Sequence, residues 1–277
     1  MPCRSRSTYK RQNMKQTLPT ELIYNIFSLL IAFILVHSIY VTLVRPQATA
    51  FIEQETATVL ADPDYTPQRS FFVVIKDYEQ ETCFVLMLWA FAILGYKGRD
   101  AYRQQKLLEQ DLLQLPGSLP IGPEDTREIA KRLASLPGHL NDWFLPRALL
   151  TAIERFGATR NVQDVSTAAR AICESEGERM ETELSIIRYI AWAIPSVGFI
   201  GTVRGIGDAL GQAHRAVEGD ITGVTSSLGV AFNSTFIALV ISIVLMFFVH
   251  QVQLMQERLV LDSERYVDSW LIRRLKS

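Results

Sequence analysis

The chain has 277 residues, 48% of them hydrophobic, and its formal charge at pH 7 is −1. This balance gives no overall attraction to nucleic acid, so a nucleic-acid partner is not expected. The apolar residues are concentrated in long uncharged runs, which indicates a membrane protein.

Four runs without Asp, Glu, Lys or Arg predict four membrane-spanning helices. Residues 22–44 and 221–249 each exceed the roughly 20 residues that cross a bilayer core. The first is longer than the apolar core of a signal peptide, so it is predicted to be a retained anchor. Two shorter runs are bounded by Lys97 and Arg188, whose long side chains extend them by snorkelling. The predicted spans are 22–44, 81–97, 186–210 and 221–250.

The distribution of Lys and Arg predicts the orientation of these spans. Basic clusters lie at 4–15 before the first span, at 97–106 after the second and at 258–276 after the fourth. With four spans all three clusters fall on one side, as the positive-inside rule requires. We therefore predict a bacterial inner-membrane protein with both termini in the cytoplasm. Its other segments are a cytoplasmic N-terminus (1–21), a periplasmic loop (45–80), a cytoplasmic helical loop (98–185), a periplasmic turn (211–220) and a cytoplasmic C-terminal helix (251–277).

The segments outside the membrane are predicted to be helical, so the fold class is all-α. A breaker at 116–125 precedes a helix that starts near Pro123, and a further helix is predicted to end at Gly157. Because no breaker lies between Asn161 and Pro195, one long helix is predicted to rise into the third span. The periplasmic loop is expected to hold one short helix and coil. The cytoplasmic helices are expected to be too few and too extended to close a large core.

Common signatures of enzymes and metal sites are missing from the sequence. Cys3, Cys83 and Cys173 are scattered and are expected to be free thiols. The histidines share no metal-ligand spacing with them, and there is no nucleophile elbow, P-loop or zinc signature. We predict no catalytic residue, no metal and no cofactor, the only small species being a translocated H⁺ or Na⁺.

Small residues recur along the third predicted span, in the stretch "AIPSVGFIGTVRGIGDALG". Two pairs, Gly201/Gly205 and Gly207/Gly211, have the four-residue spacing that lets helices approach closely in a bilayer. A proline is tolerated there because neighbouring helices satisfy the freed carbonyl. By itself the spacing favours a plain packing face. The residues predicted to pack are Pro195, Gly198, Gly201, Gly205 and, on the fourth span, Ala238.

Polar residues interrupt the fourth span and predict a polar lining. Asn233, Ser234 and Thr235 lie in an otherwise apolar run, and Thr202 is at a comparable depth on the preceding antiparallel helix. Facing hydroxyl groups suggest an ion path; the alternative is that they bond to carbonyls of their own helices.

Two charged residues at the outer end of the third span are four positions apart. Arg204 and Asp208 have the spacing of an ion pair on one helix face. A solvated pair is the plainer interpretation, and a gate at the mouth of a pore is the alternative.

The last two spans resemble the MotA/TolQ/ExbB family of proton-channel and motor subunits. The third-span pattern Gly-Leu-x-Gly-Thr-Val-x-Gly-Ile, after an Ala-Pro-like start, appears here as "IPSVGFIGTVRGI". The fourth-span pattern Ala-Leu-x-Thr-Thr-x-x-Gly-Leu appears as "AFNSTFIAL", with Ser234 at the first threonine and Ala238 at the glycine. Four spans with a large cytoplasmic loop resemble MotA, whereas the wording of the motifs resembles TolQ and ExbB.

This resemblance implies a ring of five copies around two single-span helices of the TolR/ExbD/MotB type. The partner supplies an ion-binding aspartate, and ion flow moves one component within the other. The sequence agrees in one respect, because the four uncharged runs hold no carboxylate and a proton relay normally needs an ionisable group. His37 is inside the first span, where a helix interface or a lipid headgroup is its expected neighbour and a relay is the alternative.

The predicted function is therefore a channel-forming subunit of an ion-driven motor or energising complex, with the proton as the first choice of ion. The alternative is a non-conducting membrane scaffold that uses the same ring to hold a partner. Expected partners are further copies of the chain, the single-span subunit, the lipid bilayer and a cytoplasmic rotor or effector. The charged loop residues that could meet such an effector are Arg127, Lys131, Arg132, Arg147, Glu154 and Arg155.

Overall fold

A computed structural model describes residues 20–61, 70–112, 120–141 and 143–276. Within these ranges the chain is helical and has no strand, apart from one isolated bridge between Ile121 and Leu275. The all-α prediction is thus confirmed. The basic segment 1–19 with Cys3, part of the periplasmic loop and part of the predicted breaker lie outside the described residues. Four helical stretches are long and apolar enough to cross a membrane: Leu22–Val59, Tyr78–Leu107, Val162–Gly211 and Thr222–Arg274.

The first span continues well past its uncharged run. Helix α1 (Thr20–Ile39) passes through a π-helical turn (Tyr40–Val44) into α2 (Arg45–Ala61), and α3 (Phe71–Ile75) follows. The expectation of one short helix and coil for this loop was therefore wrong. The helix continues through Pro46, which is the second residue after the π-helical turn, and no glycine interrupts the residues after it.

The second span is also longer than its apolar part. Helix α4 (Tyr78–Leu107) starts after Asp77 and extends ten residues beyond Lys97. Three shorter helices follow in the loop that is predicted to be cytoplasmic: α5 (Thr126–Ala134), α6 (Gly138–Asn141) and α7 (Phe144–Thr159).

Gly157 does not end a helix as predicted. It lies within α7, and Arg160 provides the left-handed residue at the helix end, with φ of 52°. A Cβ at Gly157 would lie 3.1 Å from Thr126 Oγ1. The glycine therefore serves the close approach of α5 to α7, a tertiary contact that the local sequence does not reveal.

The predicted cytoplasmic loop has a core of its own, contrary to expectation. Phe144, Leu149, Ile153 and Phe156 form a fully buried face of α7. The amphipathic spacing of α7 allows α5, α8 and the C-terminal residues to pack around this face. The C-terminal residues that complete this core are Tyr266, Val267 and Leu271.

The last two spans are the longest elements. Helix α8 (Val162–Glu183) and α9 (Ser185–Gly211) are separated by the single buried residue Leu184, so the predicted long helix is confirmed with one break. The short α10 (Ala213–Val217) leads to α11 (Thr222–Tyr266), which includes the fourth span and its extension.

In the membrane region α9 and α11 pack along their length, α4 packs against both, and α1 packs against α4. Lys97 Nζ on α4 lies 2.7 Å from Glu183 Oε2 at the break between α8 and α9. This ion pair joins the membrane bundle to the cytoplasmic helices.

Candidate functional site

Three glycines let α9 and α11 approach closely. A Cβ at Gly198 would lie 2.4 Å from Ala238 Cβ, and one at Gly201 would lie 2.5 Å from Ser234 Cβ. At Gly205 it would lie 2.7 Å from the backbone oxygen of Ser227. These distances are shorter than any real Cβ contact, so each glycine is required by the helix spacing. Ala238 is itself fully buried in this interface.

The other predicted packing residues behave differently. Pro195 lies inside α9 and is half-buried. At Gly207 and Gly211 a Cβ would have no described atom within 4 Å. Of the two glycine pairs, the structure therefore places Gly201 and Gly205 in the helix interface and leaves Gly207 and Gly211 in open space.

Thr202 and Thr235 are hydrogen-bonded to each other across the same interface. Thr202 Oγ1 lies 3.0 Å from the carbonyl of Ala231 on α11, and Thr235 Oγ1 lies 3.1 Å from the carbonyl of Gly198 on α9. Both threonines are half-buried. They lie at the border between the face where the two helices pack and the faces that are exposed in the isolated chain.

Ser234 and Asn233 do not join this threonine pair. Ser234 is 1% exposed, and its Oγ donates to the carbonyl of Val230 at 2.9 Å. Gln80 Nε2 donates to the same Oγ at 3.3 Å, so Ser234 faces α4 in the interior of the chain. Asn233 is half-buried. A pore-lining role for these two residues stays a prediction.

Three consecutive residues at the start of α4 contact three different helices, which sequence reasoning missed. Glu79 bonds to Arg204 on α9, Gln80 bonds to Ser234 on α11, and Glu81 bonds to residues of the first span. The signal in the sequence was weak, because a polar Glu-Gln-Glu at a helix start is also typical of a solvated end.

Glu81 is buried and accepts hydrogen bonds from two side chains of the first helical stretch. His37 Nδ1 lies 2.7 Å from Glu81 Oε1, and the Arg45 guanidinium donates to Oε2. His37 and Arg45 are eight residues apart, which is about 80° around an α-helix. The extra residue of the intervening π turn reduces that offset to about 20°, so both side chains reach one carboxylate. His37 is thus at a helix interface, as expected.

Arg204 pairs with Glu79 instead of Asp208. Its Nε and Nη2 lie 2.7 and 2.8 Å from the two oxygens of the Glu79 carboxylate. Two-pronged binding to a carboxylate fits the guanidinium better than a partner four residues away on the same helix. Arg204 is two residues from Thr202, about 200° around α9, so it faces α4 and away from the threonine pair.

Two carboxyl groups next to the ends of the predicted spans have shifted pKa values, in opposite directions. Burial raises the pKa of the Asp77 carboxyl, and the charges of Lys76 and Arg204 offset part of that rise. Hydrogen bonds from Thr222 lower the pKa of Asp220 in the turn before α11. Asp77 therefore holds a proton at a higher pH than an exposed aspartate does.

The described side chains form no cluster of metal ligands, and the two described cysteines are buried. In the described ranges no three His, Cys, Asp or Glu side chains are placed to hold a metal ion. Cys83 and Cys173 are free and buried, in the membrane bundle and in the cytoplasmic core respectively.

A known family model matches the region of the chain that contains Thr202 and Thr235. The family model described as "MotA/TolQ/ExbB proton channel family" matches residues 141–265, which cover α7 to α11. In the same comparisons no curated protein and no solved structure matches the chain. Residues 141–265 of this chain are thus similar to the MotA/TolQ/ExbB proton channel family.

Proposed function

We propose that the chain is the channel-forming subunit of a motor or energising complex driven by an ion gradient, with the proton as its ion. Five copies surround a dimer of single-span partners, which supply the ion-binding aspartate. The complex lies in a bacterial inner membrane with the termini of this chain in the cytoplasm. The match of residues 141–265 to the family model and the hydrogen-bonded pair Thr202 and Thr235 support this proposal.

The threonine pair presents acceptor oxygens to its surroundings. Each hydroxyl has one proton to donate and two lone pairs. The two protons can serve two of the three contacts, which are the one between the hydroxyls and those with the carbonyls of Ala231 and Gly198. In every arrangement lone pairs on the hydroxyl oxygens are left over. Such a site suits a protonated carboxyl group, a water molecule or a cation. It can therefore receive the partner's aspartic acid while that acid carries its proton.

The acid itself must come from outside this chain. The uncharged runs of the third and fourth predicted spans hold no carboxylate, since Asp208 lies beyond the end of the third run, and Glu79 and Glu81 of α4 are engaged. Glu81 is held by Arg45 and His37, and Glu79 is held by Arg204. A paired carboxylate is a poor carrier, since releasing it leaves a cation uncompensated.

Exposed apolar faces on both helices support assembly into a ring. In the isolated chain, exposed large apolar side chains recur on α9 at intervals of three, four or seven residues, which places them on one helix face: Tyr189, Trp192, Phe199, Val203, Ile206 and Leu210. A similar face of α11 comprises Phe232, Phe236, Ile243 and Phe247. In a bilayer such faces contact lipid or further helices, and a ring supplies helices for part of them.

One observation favours the alternative of a non-conducting scaffold. The threonine hydroxyls bond to each other and to helix carbonyls, which is also what pure packing requires. Reconstitution of the complex in liposomes with a pH-sensitive dye separates the two functions. A channel acidifies the lumen under a gradient when the partner is present, whereas a scaffold leaves the lumen unchanged with or without it.

Topology gives a separate prediction. Cys173 is 2% exposed and makes a poor reporter, so exposed positions are needed. In a Cys3→Ser background, an impermeant thiol reagent is expected to label Thr56→Cys on α2 in intact spheroplasts. It is expected to label Ser175→Cys on α8 after the membrane is opened and not before. The reverse pattern would overturn the four-span orientation; the background without either new cysteine is the control.

A further inference from the structure

A groove between α8 and α11 lies in the predicted cytoplasmic part of the chain. It has a volume of about 340 Å³, enough for a few side chains. Its floor includes Met180 and Val260, and its edges carry Glu181 and Glu257. The described residues that line it include two acids and no Lys, Arg or His. The groove is thus apolar at its base and acidic at its rim.

This groove is on the same face of the helix pair as Thr202 and Thr235. The 18 residues from Thr235 to Gln253, which lines the groove, make five turns of α11. The 25 residues from Gly177, on the other wall, to Thr202 make about seven turns of α8 and α9. Along α11 the distance from Thr235 to Gln253 is about 27 Å. A helix that passes the threonine pair therefore points toward the groove.

One buried polar atom in the groove lacks a hydrogen-bond donor among the described residues. Gln256 lines it and is 5% exposed, and its Oε1 has no hydrogen-bond partner among the described residues. A buried acceptor without a donor is unfavourable, so a donor from another molecule would be stabilised there. Around Gly177 a Cβ would have no described atom within 4 Å, so this wall is open.

We propose that this groove binds the cytoplasmic flank of the single-span partner, through a short segment with apolar and basic side chains. This inference rests on the proposed function, because it takes the partner's span to lie beside the threonine pair. Cytoplasmic flanks of membrane spans are enriched in Lys and Arg, which complements Glu181 and Glu257. The groove begins three residues beyond the predicted end of the fourth span, at Gln253, so the flank reaches it directly.

Site-specific photo-crosslinking tests this contact in cells that express the chain with its natural partner. A benzoylphenylalanine is placed at Leu261, which lines the groove and is 52% exposed. The matched control is Tyr102 on α4, which is 54% exposed and outside the groove. The expected product links position 261 to a Lys- or Arg-containing peptide next to the span of a single-span protein. A link to another copy of this chain, or the absence of any product, overturns the proposal.

Charge reversal provides the second variant. Glu181→Lys with Glu257→Lys is expected to lower the yield of that product about tenfold, because like charges would then face each other. The change removes a 3.7 Å pair with Arg188 and the bond that Gln253 donates to Glu257, so Glu181→Gln with Glu257→Gln serves to check folding. The control Glu128→Lys on α5 should leave the yield unchanged. If ion flux is normal but no crosslink forms at position 261, the proposed contact in the groove is wrong and the proposed function stands. If the crosslink forms but the complex conducts no ions, the proposed function is wrong and the contact stands.

Discussion

Thr202→Val and Thr235→Val are each expected to slow ion flux through the assembled complex by about 5- to 150-fold. Valine keeps the shape of threonine and removes the hydroxyl, so close packing of α9 on α11 is retained. The substitution removes the hydrogen bond between the two hydroxyls and one hydroxyl of the polar site, while the remaining hydroxyl keeps a carbonyl on the facing helix. A buried polar group without its partner costs about 1–3 kcal/mol, and about 1.4 kcal/mol corresponds to a factor of ten in rate. Flux is measured in liposomes that contain equal amounts of complex.

The control for this experiment is Thr167→Val on α8. The Thr167 hydroxyl is bonded to the carbonyl of Gln163 in its own helix at 3.0 Å, so it tests the same chemical change away from the interface. Flux in the control should match the wild type. If both interface variants conducted normally, the hydroxyls would serve packing alone and the threonine pair would not be the ion path.

Gly205→Ala is expected to destabilise the folded chain by at least about 1–3 kcal/mol, the usual cost of overpacking. The new Cβ would lie 2.7 Å from Ser227 O and 2.8 Å from Ala231 N, and backbone atoms of a long helix cannot move aside individually. Gly201→Ala should cost a similar amount, because its closest conflict, at 2.5 Å, is with the Ser234 Cβ, which does not move when the side chain rotates. Thermal unfolding in detergent and the yield of assembled ring measure both effects.

Gly207→Ala and Gly211→Ala are the matched controls on the same helix. They have open space around the new Cβ, and alanine favours helix by about 1 kcal/mol relative to glycine. Both should leave stability unchanged or raise it. Equal destabilisation at 205 and 207 would show that the interface glycines act through backbone flexibility and not through close approach.

The spans and the long helices were predictable from the sequence because both depend on local patterns. An uncharged run of sufficient length is visible without any partner, and so is the lack of breakers between Asn161 and Pro195. The small-residue spacing of Gly201 and Gly205 likewise indicated a packed face. The pair Gly207 and Gly211 has the same spacing, yet a Cβ at either position would have no described atom within 4 Å. Spacing alone therefore does not reveal which face of a helix packs against another helix.

The polar contacts of α4 were beyond prediction from one sequence. Glu79, Gln80 and Glu81 are adjacent, yet their partners Arg204, Ser234 and His37 are 125, 154 and 44 residues away. Such pairs depend on how the helices are arranged around α4. The same holds for Arg204, whose four-residue spacing from Asp208 was a local signal that a two-pronged tertiary partner overrode.

The cytoplasmic core was missed for a related reason. Its helices were expected to be too few and too extended to close a large core, and the tail was expected to be a plain extension of the fourth span. In the structure the tail packs on α7 through the π-helical segment Val267–Leu271, whose Val267 and Leu271 are fully buried. The core joins α7 to residues of the C-terminal tail that are far away in the sequence, so the local pattern of either segment does not reveal that the two pack together.

Proton flux into liposomes, measured with and without the partner, tests most directly whether the ion-binding carboxyl group belongs to the partner. Rings of this chain alone should leave the membrane tight, because the uncharged runs of its four spans hold no carboxylate. Adding the single-span partner should open a flux, and changing the aspartate in the partner's span to asparagine should close it again. Sustained proton current through rings without any partner would contradict the account.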